Sequence, residues 1–302
     1  MKTALIGYGY WGKIIRRYIE SSKSFQLVKI CCKEQVDGKD NLFTTDINII
    51  WNDSDIETVF ICTPVATHFE ICRQGLLNGK NVFCEKPTVR TSEEFEELAY
   101  LAEKQNKILF TDYIYTVSPS IMKMKEELPE IGTISGIEGE ISQFGNFYPQ
   151  DTVFEVLGVH LFSVLGYLVP DFKIDSCKSS YLFDLNLYSG MLQAKINGNI
   201  QVLFTCSLLN VKKIRIIKIY GTRGTLVFDM MDKEATLYLQ KYENQKDGVV
   251  KGGEFKNWKF DENNNLVRIL LKFREAIVSG DNQENLKVAR IVNRLLENCK
   301  GS

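Results

Sequence analysis

Histidine is almost missing from this chain: only His68 and His160 occur in 302 residues. The eight cysteines lie at 31, 32, 62, 72, 84, 177, 206 and 299, and none forms a C-x-x-C pair. No cluster therefore has the spacing of a zinc site, and no metal is expected. The thiols read as buried free cysteines in a reducing compartment. An excess of one charge is missing too. Thirty-seven basic residues face 38 acidic ones, for a net charge of −1, which removes the electrostatic case for nucleic acid or an anionic membrane as partner. Long apolar runs are also lacking. The most apolar stretch, Val153 to Val169, is interrupted by Glu155, His160 and Ser163 and is too short and too polar to span a bilayer. No leader is expected before Gly7, because Met1 to Ile6 already reads as a strand. These absences together predict a cytoplasmic globular protein with no nucleic-acid or membrane partner. There is no internal repeat and no low-complexity tract, which excludes solenoids and linkers.

What is present begins six residues into the chain. Gly7-Tyr8-Gly9-Tyr10-Trp11-Gly12 is a G-x-G-x-x-G. Met1 to Ile6 reads as the strand feeding it and Lys13 to Ile19 as the helix leaving it. Strand, glycine turn and helix in that order make a dinucleotide site rather than a bare turn. Gly7 suits the tight turn, Gly9 lets backbone approach a pyrophosphate, and Gly12 lets helix and strand close up. The phosphates would rest on the helix N-terminus beside Tyr10 and Trp11.

A chain of 302 residues suits two domains. Up to about residue 118, strand and helix alternate. Phe25 to Cys31, Thr58 to Cys62, Asn81 to Cys84 and Lys107 to Thr111 read as strands; Phe69 to Asn78 and Thr91 to Asn106 read as helices, the latter opening on a capping pattern. That alternation predicts an α/β domain with a doubly wound parallel sheet over 1–118. Beyond it the pattern changes. A helix over Ile121 to Leu128 precedes long alternating runs at Ile134 to Phe144, Leu185 to Ile196, Ile200 to Leu209, Lys213 to Tyr220 and Thr225 to Asp229. Asn197-Gly198-Asn199 and Gly221 to Gly224 read as hairpin turns. Residues 119–302 are thus expected to form an α+β domain with a large, mostly antiparallel open sheet. Asp247 to Gly253 reads as a loop. Two closing helices, Asn265 to Ser279 and Asn285 to Cys299, have the option of packing back on the first domain.

Several stretches together resemble the Gfo/Idh/MocA family of NAD(P)-dependent oxidoreductases. They are the glycine motif, Cys62-Thr63-Pro64-x-x-x-His68, Asn78 to Pro87 with Cys84-Glu85-Lys86-Pro87 at its end, His160, and Gly221-Thr222-x-Gly224-Thr225-Leu226. The resemblance implies an N-terminal Rossmann domain and a C-terminal sheet domain that pairs face to face into a homodimer or homotetramer. It implies that Lys86 is catalytic, hydrogen-bonding the substrate oxygen whose carbon exchanges the hydride, and that Glu85 lies near the nicotinamide ribose. It places Thr63, Pro64 and His68 beside the cofactor, although His68 reads equally as a helix-start polar residue. It makes His160 a catalytic acid/base, where the residues alone would make it a core histidine. Polyol-acting members carry an acid four before this histidine and often one three after; here stand Val156 and Ser163. Glu155, on a uniform α-helix, points roughly 140° from His160. Asp112, Tyr113 and Tyr115 follow a strand end and are candidates for the substrate pocket, at least one tyrosine reading as core.

The second strand ends Ile30-Cys31-Cys32-Lys33. With Cys32 where NAD-preferring sites place an acid, and Lys33 next to it, NADP is favoured over NAD. The resemblance therefore implies hydride transfer between nicotinamide and a secondary alcohol or ketone carbon, of a sugar or nucleotide-linked sugar. Two alternatives stand beside it: a reductase of an imine or conjugated pigment on the same fold, and a cofactor-binding regulator without turnover.

Overall fold

The computed structural model describes residues 1–34, 41–148, 150–182, 187–244 and 250–299. They divide into two units: Met1–Ile114 with Leu266–Arg294, and Tyr115–Asn265 with the C-terminal residues from Leu295.

Apolar strands alternate with one-sided helices through the first unit. In chain order these are β1 (Lys2–Ile6), α1 (Tyr10–Ser21), β2 (Gln26–Cys31), β3 (Phe43–Thr44), α2 (Asn48–Asn52), β4 (Thr58–Ile61), α3 (His68–Leu77), β5 (Asn81–Cys84), α4 (Ser92–Lys104) and β6 (Leu109–Thr111). The strands stand in the order β3-β2-β1-β4-β5-β6 and all pair in parallel. That order reverses direction between β1 and β4, which opens a crevice at their carboxyl ends where ligands bind in such sheets. β4 and β5 are buried along their whole length, as expected of strands covered on both faces. The helices bury one stripe each. In α1 this stripe is Gly12, Ile15 and Ile19. Thr91 caps α4 by accepting from Glu94 N at 3.2 Å, as its capping pattern predicts.

Two late helices, α7 (Asn265–Ser279) and α8 (Gln283–Asn298), put Leu266–Arg294 into this unit. Phe273 of α7 lies 5.4 to 5.8 Å from the rings of Phe25, Phe60, Phe83 and Phe110, and so closes one face of the sheet with an aromatic cluster. The edge strand β6 is not left bare. Asn285 of α8 accepts from Thr111 N and donates to Thr111 O, both at 2.9 Å, as a neighbouring strand would.

The second unit contains α5 (Pro119–Glu127), β7 (Ile134–Phe144), one π-helical turn (Phe154–Gly158), α6 (Val159–Leu168), β8 (Ile174–Tyr181), β9 (Ser189–Ile196), β10 (Ile200–Ser207), β11 (Leu209–Gly221), β12 (Gly224–Asp229), β13 (Leu237–Asn244) and β14 (Val250–Trp258). Its sheet runs β14-β13-β12-β11-β7-β10-β9-β8, antiparallel except between β7 and β10. Inward residues such as Ile137, Ile141, Phe204 and Ile219 are buried, and alternate residues on the other face are half-buried.

Three strands, β8, β13 and β14, were not expected from the sequence. The first and last are the sheet's two edges, and their mixed residues (Ile174-Asp-Ser-Cys-Lys, Val250-Lys-Gly-Gly-Glu) carry too little apolar alternation to signal a strand. The expected loop at Asp247 to Gly253 is corrected accordingly. Val250 to Gly252 pair with β13 and Gly253 continues the same strand, and 247–249 lie outside the described residues, as do 185 and 186 of the expected Leu185 run. Among the described residues no helix is long and apolar enough to cross a membrane.

Candidate active site

The glycine turn joins β1 to α1. Gly7 has φ +96°, and a Cβ there would stand 2.7 Å from the backbone carbonyl of Cys62, so only glycine fits. At Gly12 a Cβ would stand 2.1 Å from Gly7 O, which shows how closely helix and turn approach. At Gly9 a Cβ would meet nothing within 4 Å, so space is open beside the turn. Gly9 is also the N-cap of α1. No side chain caps this end and no acid sits in its first turn. The first intrahelical bond is donated by Lys13 N to Gly9 O, which leaves the N–H groups of Tyr10, Trp11 and Gly12 outside the helix's own ladder. An uncapped positive helix end beside open space and free of carboxylates fits a dinucleotide pyrophosphate. Tyr10 and Trp11 project outward, 65% and 37% exposed.

At the end of β2, Cys32 is half-buried and Lys33 exposed. The structure adds a residue that sequence reasoning passed over. Arg16 donates to Tyr8 Oη at 2.8 Å and lies 5.7 Å from the ring centres of Tyr8 and Phe43. Phe43 pairs with Ile30 across β3 and β2, so Arg16 is carried to the same strand end as Cys32 and Lys33. Its position one turn after Gly12 was the available signal.

The ends of β4 and β5 carry the next groups. Thr63 and Pro64 follow β4; Glu85, Lys86 and Pro87 follow β5, with a cis Lys86–Pro87 peptide. His68 links the two. It starts α3, is 1% exposed, and places Nδ1 2.9 Å from Pro87 O and Nε2 2.7 Å from Thr63 O. Its ring is thus a clamp between two loops rather than an open ligand face. Lys86 is half-buried, while Glu85 and Asp112 are buried. Burial pushes the Glu85 carboxyl up, and the Lys86 charge and backbone N–H oppose that. Burial and the Glu85 carboxylate push Asp112 well above the usual carboxylate range. Tyr113 is 1% exposed and its phenol is raised by burial, which marks it as a core aromatic.

The first unit therefore brings Gly7, Gly9, Gly12, Thr63, His68, Glu85, Lys86 and Asp112 to one end of its parallel sheet. His160 and Tyr115 belong to the second unit, with ring centres 5.1 Å apart. The helix bearing His160 is not uniform: one π turn precedes it. The roughly 140° separation of Glu155 from His160 on a regular α-helix therefore does not carry over to this segment. The Glu155 carboxylate is held by Thr152 N at 2.7 Å, in a capping box with Thr152 Oγ1. Ser163 is fully buried and donates to His160 O at 2.9 Å. Among the described residues no group of His, Cys, Asp and Glu could hold a metal ion.

Residues 1–113 match the model of the oxidoreductase family with an NAD-binding Rossmann fold, Gfo/Idh/MocA. That match covers the first 113 of the 302 residues. Among curated proteins it is similar to the uncharacterized oxidoreductase YhhX of Escherichia coli (strain K12), 28% identical over 215 residues, or 64% of this chain and 59% of that one. It is also similar to levoglucosan dehydrogenase of Pseudarthrobacter phenanthrenivorans, 32% identical over 108 residues, 36% of this chain and 26% of that protein. The matched stretches thus span less than two thirds of these relatives. A solved structure from Magnetospirillum magnetotacticum MS-1 shares the fold over 99% of both chains, with a TM-score of 0.85 and 24% identity.

Proposed function

We propose that the protein is an NAD(P)-dependent oxidoreductase that moves a hydride between nicotinamide and a secondary alcohol or ketone carbon, of a sugar or nucleotide-linked sugar. One observation carries the reading. The open N-terminus of α1 and Lys86 are tied together through a short chain of contacts, from Gly7 against Thr63, through His68, to Pro87. A cofactor-binding turn after β1 and a proton-carrying ammonium after β5, on either side of β4, are what such a reaction needs. A bound nicotinamide supplies or accepts the hydride. Gly9 and the first turn of α1 would hold its pyrophosphate, and Lys86 would hydrogen-bond the substrate oxygen, giving it a proton in reduction and taking one in oxidation. His160 is the second acid/base. The levoglucosan dehydrogenase relative supports a sugar substrate. The expected panel test is reduced-nicotinamide absorbance on incubation with NADP⁺ or NAD⁺ and a set of sugars, polyols and sugar nucleotides; turnover on none of them, with turnover on an imine or pigment, sinks the sugar assignment. The buried Ser163 and apolar Val156, which offer no carboxylate for a diol, favour that second reading.

Lys33 and Arg16 at the end of β2, with no acid at Cys32, support NADP as the preferred cofactor. NADPH should bind more tightly than NADH in a fluorescence titration, and Arg16→Ala should weaken NADPH while sparing NADH. Equal loss of both would place Arg16 outside the 2′-phosphate site. His160 must be neutral to accept a proton, so oxidation should fall as pH drops, and His160→Asn should abolish that acid limb. A profile unchanged in this variant returns His160 to packing against Tyr115. The half-buried outer face of the eight-stranded sheet, where Glu138 accepts from Tyr220 Oη at 2.9 Å and faces Lys218, supports a homodimer or homotetramer through that sheet.

A further inference from the structure

Two acids leave the first sheet side by side. Cys84 pairs with Thr111 in the parallel register of β5 and β6, so the next residues, Glu85 and Asp112, are neighbours at the strand ends. Both main chains are fixed there: Glu85 N donates to Ile61 O and Asp112 N to Cys84 O, each at 2.9 Å. Both side chains are inside, 7% and 3% exposed. Glu85 Oε1 and Asp112 Oδ1 accept no hydrogen bond among the described residues. The groups facing the pair are the Lys86 ammonium from the same turn and the thiols of Cys62, after β4, and Cys84, in β5. Burial raises both thiols, so they stay neutral and add no charge.

Two adjacent carboxylates in a dry site cannot both ionise, because each pays desolvation and repels the other. One ammonium balances one negative charge. We propose that Glu85 and Asp112 share a single proton, held on Asp112 and donated towards the Glu85 carboxylate, and that Asp112 is thereby a positioning residue for Lys86. The pair presents the ammonium with one negative charge. Two would grip its proton against release to substrate, and none would leave the cation without a buried counter-charge. The role given to Lys86 rests on the oxidoreductase reading; the shared proton does not.

A raised folded-state value means that Asp112 contributes its stability below the ordinary aspartate value, 3.8, and loses it as pH rises. Asp112→Asn keeps a donor for Glu85 and cannot ionise, so its melting temperature should gain on the wild type as pH rises above the ordinary aspartate value. The direct readout is the infrared carbonyl stretch of a protonated carboxylic acid, recorded on the whole chain at pH 8 without cofactor or substrate. The wild type should show such a band, and Asp112→Asn and Glu85→Gln should both lack it. Absence from the wild type, or persistence in both variants, overturns the shared proton even if turnover is found. If one variant fails to fold, the wild type and the other decide. The kinetic arm tests the positioning role. Each single variant retains one negative charge and should keep the alkaline limb of ketone reduction in place, whereas the double variant Glu85→Gln/Asp112→Asn should move it to lower pH. A limb that shifts equally in each single variant, or not at all in the double, overturns the positioning role. A Lys86 variant with full turnover instead sinks the oxidoreductase assignment of Lys86 and leaves the infrared result standing.

Discussion

Lys86→Met should cut turnover by roughly 10²–10⁴, the loss expected when an acid–base or oxyanion contact is removed. Methionine keeps the length of the side chain and the half-buried packing but has no proton to give and no charge to place on the substrate oxygen. Cofactor affinity should stay near the wild-type value, because the residues proposed to hold the pyrophosphate and ribose are others of the same unit. The loss should therefore appear in kcat and kcat/KM together, the signature of an interaction made in the transition state. A Lys86→Met enzyme with full turnover on its true substrate would show that this lysine carries no chemistry.

The second large effect is expected at Gly12. A Cβ built there stands 2.1 Å from Gly7 O, a backbone atom that cannot rotate away. Gly12→Ala must part the first turn of α1 from the loop below it. Overpacking of this kind costs about 1–3 kcal/mol of folding stability. Displacement of the same N–H groups that would hold the phosphates should lower NAD(P)H affinity by about tenfold or more, equivalent to about 1.4 kcal/mol. Gly9→Ala is the control. Nothing lies within 4 Å of a Cβ there, so the melting temperature should stay unchanged while cofactor binding weakens, because the added methyl occupies the space left for the ligand. If Gly9→Ala binds NADPH as the wild type does, the phosphates do not approach that turn.

The glycine turn and the strand–helix alternation were legible because each rests on local chemistry: a positive φ at Gly7, close approach at Gly12, and buried stripes such as Ile15 and Ile19 on α1. Thr91 could be read as a cap for the same reason. What the sequence hid was mostly set by distance along the chain. Asn285 closes the β6 edge from 174 residues away, and Phe273 completes an aromatic cluster with four rings of the first third. Glu85 and Asp112 were each singled out, for the ribose and for the substrate pocket, but their pairing exists only because β5 and β6 share a register and so could not be read along the chain. The edge strands β8 and β14 were hidden for the opposite reason. Half their surface faces solvent, and their residues carry no clear alternation. At His160 the residue was visible but its surroundings were not, since a π turn changes which neighbours share its face.

The central claim is a nicotinamide cofactor seated on the glycine turn. Titrating the whole chain with NADPH and with NADH, while following quenching of tryptophan emission and sensitised nicotinamide emission, tests it most directly; Trp11 stands in the first turn of α1. Saturable binding is predicted for at least one of the two, tighter for NADPH, and strongly weakened in Gly12→Ala. Failure of the wild-type chain to bind either cofactor saturably would contradict it.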